Sequence, residues 1–388
     1  MLRSVRRAGA VAGLLALAAV TAFGGAATAA PAKLKSPSQA MAAVAKGGSG
    51  GSGELRVVAE GLNNPRGIGI GPDGALYVAE SGKGGAGPCI AGPEGDQACF
   101  GRSGSVTRIT RHSQQRVLTG LPSTAAPDGT AAAGPVDLGF SGWTGYLLIG
   151  NPGGGAATRK ALGPGAGRFG KLLKVDLHGI RSVADFPRFE DANNPDGGDP
   201  AEGGVDSNPN GLLVRKGARY VTDAGGNDLL KVDHKGRISV VAVFPPRPVG
   251  DIPMQAVPTS VVKGPDGAFY VGQLTGFPFP VGGANVWRVV PGHDPEVFKG
   301  GFTNIIDIAF DRRGRLYVLE IATGGLLNAP ADELPVGRLV RVNRDGSTTT
   351  LASEGLNAPG GFVLGHHTAY TTNNSILPGA GQVVKVAI

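Results

Sequence analysis

Oxygen donors recur at matching points along this chain, and their types suit a hard cation or a polar ligand. Asn210, Asp137, Asp307 and Glu80 offer carboxylate and amide oxygens, the donor set that Ca2+ takes in six- to eightfold coordination. Arg66, at the start of the first strand of a repeated unit, and Asp223, Gln273 and Glu320, at the ends of second strands, would supply charge and hydrogen bonds to a bound ligand on one face. The same residues also read as a polar pore whose carboxylates accept from backbone amides or pair with Arg66, and the sequence leaves both readings open. A segment written FEDANNPDGGDPAEGGVDSN carries six acids: Glu190, Asp191, Asp196, Asp199, Glu202 and Asp206. The segment offers oxygen ligands for a cation, but its spacing is not that of an EF-hand, and it reads as a flexible acidic loop first and a cation holder second.

Other chemistries find no support. The chain has no G-x-S-x-G, and GFSGW puts Ser141 in a turn between strands. It has no H-E-x-x-H, and its six histidines are scattered, with His178 and His234 in surface turns. A quinone-dependent sugar dehydrogenase would pair a channel His with Arg66, and no matching His is present. No catalytic residue is assigned.

The elements that must position these residues are repeats. GPDGALYVAE (71–80) returns as GPDGAFYVGQ (264–273), and six worn copies of the unit run the length of the chain. Each copy is a short apolar strand, a Gly-containing turn and a strand with Tyr near its start. A third strand follows, such as GKLLKVD or NDLLKVD, and then a fourth. Four strands repeated six times predict an all-β, six-bladed β-propeller over 54–388, because a lone four-stranded sheet cannot bury both faces. The chain opens on a strand of the fourth type, LRVVAEG (55–61), and closes on one of the third type, QVVKVAI (382–388). The N-terminal strand is therefore expected to complete the last blade. Turns joining strands one to two, and three to four, are tight. The long insertions (81–103, 150–169, 188–207, 274–284 and 321–336) all fall on the opposite face, which makes that face the working surface.

Residues 1–29 have three arginines, an apolar run and a small-residue cut after Ala29, the pattern of a secretory signal peptide. Residues 30–53, ending AKGGSGGSG, read as a flexible leader. The signal carries three arginines and no acid, so its removal lowers the net charge of +7 by three. With no basic run and no interleaved aromatics, nucleic acid is not an expected partner. The two cysteines, Cys89 and Cys99, read as one local disulfide in an exported chain. A secreted monomer with no membrane span in the mature chain is expected.

The opening NPRGIGIGPDGALYVAESG and the whole-length pattern resemble the ScyD/ScyE family of exported bacterial proteins, within the NHL and gluconolactonase-like propellers. NPNGL (208–212) is similar to the Asn-Gly signature of the gluconolactonase and strictosidine-synthase-like propellers. That likeness implies a channel metal ligand at Asn210. The lactonase pattern has an acid where this chain has Arg66, and PDG where it has PTS with Thr259. The sequence thus points to a binding module that takes a small molecule, a glycan or another extracellular protein at the channel mouth. The alternative is a Ca2+-dependent hydrolase of the lactonase type, with Asp307 or Glu80 as base.

Overall fold

The computed structural model describes residues 53–91, 97–198, 204–330 and 333–388. The expected signal peptide, all but the last residue of the leader, and the acids Asp199 and Glu202 lie outside the described residues. Six antiparallel sheets follow one another along the chain as the four-stranded blades of a β-propeller, the first bearing Cys89–Ala91 as an extra strand. Blade 1 is built from Pro65–Ile70, Leu76–Glu80, Gln97–Ile109 and Gln114–Ala125. Blade 2 comprises Pro135–Ser141, Thr144–Ile149, Lys171–Asp176 and Gly179–Asp185, and blade 3 comprises Pro209–Arg215, Ala218–Asp223, Asp228–Asp233 and Ile238–Val243. Blade 4 runs over Pro258–Lys263, Phe269–Gln273, Ala284–Val289 and Glu296–Phe302. Blade 5 is made of Ile305–Phe310, Leu316–Glu320, Arg338–Val342 and Thr348–Ala352. Blade 6 takes Gly361–Leu364, Thr368–Asn373 and Gly381–Ala387, and its outer strand is the N-terminal Arg56–Leu62, paired antiparallel with Gly381–Ala387. The ring is closed as the strand types at the two ends predict.

The repeated motif has a local cause. In blade 1 the Asp73 carboxylate accepts from the Ala75 amide, the Tyr77 hydroxyl and, at 2.7 Å, Nε of Arg108 on the third strand. Asp266 does the same in blade 4 with Ala268, Tyr270 and Arg288. The Tyr ring folds back over Gly71 or Gly264, where a Cβ would stand 2.3 or 2.1 Å from a ring carbon. The next glycines, Gly74 and Gly267, take positive φ. G-P-D-G-x-x-Y is thus one packed turn written twice.

Packing follows the radial logic. Six clusters of buried apolar side chains fill the blade-to-blade interfaces, the largest also reaching into connections of blades 3 and 4. Leu147 and Leu173 meet Val106 between blades 2 and 1, for example, and Val78 and Ile68 meet Val383 across the closing seam. Burial at these faces contributes at about 25 cal/mol per Å2 of apolar surface, so every blade is stabilised chiefly by its two neighbours.

The insertions are more structured than the sequence suggests. Cys89 and Cys99 are joined as expected and clip Cys89–Ala91 onto the long strand Gln97–Ile109. Residues 150–169 contain a short helix, α1 (Ala156–Ala161). The acidic segment, expected as a flexible loop, begins with helix α2 (Phe186–Asn193). Asp185 caps it by accepting from the Arg188 amide, Pro187 sits in its first turn, and Asn194 ends it in the left-handed region. A two-stranded hairpin, Arg247–Val249 with Ile252–Met254, lies between blades 3 and 4, outside the repeat pattern. No helix among the described residues is long and apolar enough to cross a membrane.

Candidate functional site

The first strand of each blade begins at the channel, and its opening pair of residues decides what the channel offers. Around the ring these pairs are Arg66-Gly67, Val136-Asp137, Asn210-Gly211, Thr259-Ser260, Ile306-Asp307 and Gly360-Gly361. All except Gly211 line one concave cavity at the channel mouth. Ser81, Ala132, Gly134 and Asn208, from the connections on the insertion-bearing face, add to its wall.

Two carboxylates face one another across it, in blades 2 and 5. Asp137 accepts from its own strand, Leu138 N at 2.7 Å, and from blade 3, Leu212 N at 2.7 Å. Asp307 repeats this with Ile308 N at 2.8 Å and, from blade 6, Phe362 N at 2.9 Å. Each carboxylate therefore ties two blades together. A glycine makes the room for the first of them: a Cβ on Gly67 would stand 2.4 Å from Oδ1 of Asp137.

Burial among these walls pushes Asp137 up to about 8, with the facing Asp307 charge adding to the rise, and burial pushes Asp307 up to about 7. Their amide hydrogen bonds act in the opposite direction and lose. Both side chains keep some surface open to the cavity, where water tempers the shift without reversing it. Arg66 does not neutralise them. Its guanidinium gives its one hydrogen bond to the Ala132 carbonyl at 3.0 Å, and burial lowers its proton affinity to about 10, so it stays charged near neutrality.

Two polar groups at the mouth are unspent. The Asn210 amide makes no hydrogen bond within the described residues, and the buried hydroxyl of Ser260 has no partner. Thr259 is committed, donating to the Ile305 carbonyl at 2.8 Å.

The structure thus brings Asp137, Asp307, Asn210 and Arg66 together and separates the other four expected residues from them. Glu80, Asp223, Gln273 and Glu320 end second strands but do not line the cavity. They hold their own blades instead. Glu80 accepts from Asn63 N at 2.7 Å, from the Ser105 and Thr107 hydroxyls, and from Arg116 at 2.8 Å. Glu320 accepts from Thr303 N and Arg338, and Asp223 from Asn208 N and the Ser207 hydroxyl. These acceptors clamp the connection that leads into the first strand. Gln273 instead accepts from the third strand, at Asn285 N and the Trp287 indole, both 3.2 Å. Among the described residues no three His, Cys, Asp or Glu side chains form a ready-made metal shell. The residue that sequence reasoning missed is Ser260. Its signal was present: it occupies the position that carries Asp137 and Asp307 in blades 2 and 5.

No protein-family model matches the chain, and no curated relative does. The likeness to the ScyD/ScyE family therefore rests on motifs alone. Solved structures similar to it are six-bladed propellers of the gluconolactonase, SMP-30 and virginiamycin B lyase type. A Bacteroides thetaiotaomicron protein of unknown function aligns with TM-score 0.52 and 10% identity over 86% of this chain and 72% of that one. Regucalcin from Agrobacterium tumefaciens, a calcium-binding protein, aligns with TM-score 0.48 and 12% identity over 87% and 94%. Virginiamycin B lyase from Staphylococcus aureus gives 0.44 and 14% over 86% and 99%. At such identities the likeness concerns the fold and carries no chemistry.

Proposed function

We propose that this chain is an exported binding propeller that holds a small, hydroxyl-rich molecule, such as the end of a glycan, at the channel mouth. One observation carries the reading: unspent polar groups, Asn210 and Ser260, stand in a concave wall beside two carboxyl groups whose proton affinities lie near neutrality. A carboxyl group poised there can donate or accept, which suits hydroxyls, and Arg66 adds a fixed cationic donor. The blades on either side hold these groups rigidly, so little order has to be imposed on binding. The motif likeness to the ScyD/ScyE proteins agrees with export.

A second reading, lactonase-type hydrolysis with a Ca2+ ion in the channel, draws on the same carboxyl pair. Asp137 and Asp307 have no counter-charge from Arg66, and a proton affinity near neutrality is that of an efficient general base.

Thermal unfolding at pH 7 with a set of neutral mono- and disaccharides and D-glucono-1,5-lactone tests both. The binding reading expects at least one compound to raise the Tm of the wild type, and Asn210→Ala and Ser260→Ala to lose that rise. If no compound raises it, or the rise survives both substitutions, the site is wrongly assigned. Acid release from the lactone that needs Ca2+ and disappears in Asp137→Asn would select the hydrolytic reading.

A further inference from the structure

A second group of acids lies away from the channel, between helix α2 and the start of the third strand of blade 3. It is assembled from distant parts of the sequence: Glu190 from the helix, Asp196 and Asp206 from the segment after it, and Asp223 and Asp228 from blade 3. Glu190 and Asp228 are fully buried, and among the described residues neither oxygen of either carboxylate has a hydrogen-bond partner. This is not the state of their neighbours. Asp223 accepts from the amides of Asn208, Gly225 and Gly226, and Asp196 accepts from Gly198 N and the Asn227 side chain at 2.9 Å.

The local backbone is shaped around these groups. The turn between the second and third strands of blade 3 is Gly225-Gly226. A Cβ on Gly226 would stand 2.9 Å from Oε2 of Glu190, and one on Gly225 would stand 2.8 Å from Oδ2 of Asp206. Bare backbone thus lets two carboxylates close over the turn that delivers Asp228. The charges each acid feels are those of the others: Asp223, Glu190 and Asp196 act on Asp228, and Asp223, Asp196, Asp206 and Asp191 act on Glu190. Among the described residues no Lys or Arg forms an ion pair with any of the five.

A buried carboxylate without partners costs several kcal/mol, and here two stand in one acidic pocket. We propose that Glu190 and Asp228 are the protein ligands of a hard divalent cation of the Ca2+ class, held between helix α2 and blade 3. Two carboxylates are a partial shell, and carbonyl and water oxygens complete the six to eight that Ca2+ takes. The ion would fasten the acidic segment to the blade, on the face that carries the channel mouth. Burial and the neighbouring acids push Glu190 up to about 8 and raise Asp228, so the competing way to remove the charge is protonation.

The test uses the full chain, stripped with EDTA and titrated with CaCl2 while Tm is measured and bound calcium is counted. The expected result is one additional tightly bound ion and a Tm rise of about 5 °C at a hundredfold excess over Kd. Asp228→Asn and Glu190→Gln should abolish the rise, while Asp137→Asn in the channel keeps it. Both substitutions in the pocket should also raise Tm in EDTA, which shows that the variants fold. A wild type that ignores Ca2+ overturns the proposal in favour of carboxyl groups held neutral by protons. So does a response that survives both pocket substitutions, or one lost only in Asp137→Asn.

Discussion

The channel mouth and the pocket beside helix α2 both bury carboxylates, and they treat them in opposite ways. At the mouth, every oxygen of Asp137 and Asp307 accepts a backbone amide, one from the residue's own blade and one from the next. In the pocket, Glu190 and Asp228 accept nothing from the described residues. The first arrangement is complete as protein and has hydrogen-bonding capacity to spare on each oxygen. The second is complete only when a proton or a cation joins it. A third set, Glu80 and Glu320, is finished by arginines of the same blade. Acid residues of one type thus serve as blade tie, ion ligand or clamp according to what donates to them.

The largest expected effect is on pH dependence at the mouth. Unfolded carboxyl groups titrate near 4, whereas Asp137 and Asp307 hold their protons to about 8 and about 7. Between these limits the folded state binds more protons than the unfolded one. The stability these two groups contribute is therefore full below pH 4 and lost as pH rises through 7 to 8. Each tenfold in proton affinity is about 1.4 kcal/mol, so denaturant unfolding should lose several kcal/mol over that window. Asp137→Asn with Asp307→Asn should flatten the profile; an unchanged slope would mean that these carboxyl groups are ionised throughout.

Next in size is the clamp. Glu80→Ala orphans the Ser105 and Thr107 hydroxyls and the Asn63 amide, all buried or nearly so, and should cost about 3 kcal/mol in urea unfolding. Arg116 is half-exposed and can return to water, which keeps the loss from growing further. Loss of ligand binding with stability intact would move Glu80 back to the site.

The smallest effects separate the two glycine cradles. Gly67→Ala meets Oδ1 of Asp137 but also the Val136 carbonyl at 2.8 Å and the Asp137 Cα at 2.9 Å, none of which can swing away, and should cost about 2 kcal/mol. Gly226→Ala meets only the end of the Glu190 side chain within 3 Å, so it should cost under about 1 kcal/mol while weakening the calcium response. Equal costs would deny the difference between a fixed carboxylate and an unanchored one.

The helix over 186–193 is written in local sequence signals. Its capping Asp185, its Pro187 and its left-handed Asn194 are ordinary start and stop signals, set in a segment whose overall composition is that of an acidic loop. The hairpin over 247–254 is different, because RPVGDIPM has no clear alternation and its pairing is set by what surrounds it. Within the mouth, Asp137, Asp307, Asn210 and Arg66 could be found by aligning the repeats. The inward turn of Glu80 and Glu320 could not, because its cause is an arginine one or two strands away in the same blade.

By itself, the sequence determined the repeat, the number of blades, the strand that closes the ring and the face that carries the long insertions. Those properties follow from local turns and period-two alternation, which act over a few residues and are written in order along the chain. Only the tertiary structure decided which polar groups are spent. Whether a carboxylate meets an amide of the next blade, an arginine or nothing depends on radial packing. That packing sets Gly67 against Asp137 and gathers Glu190, Asp206 and Asp228 into one place from separate stretches of sequence.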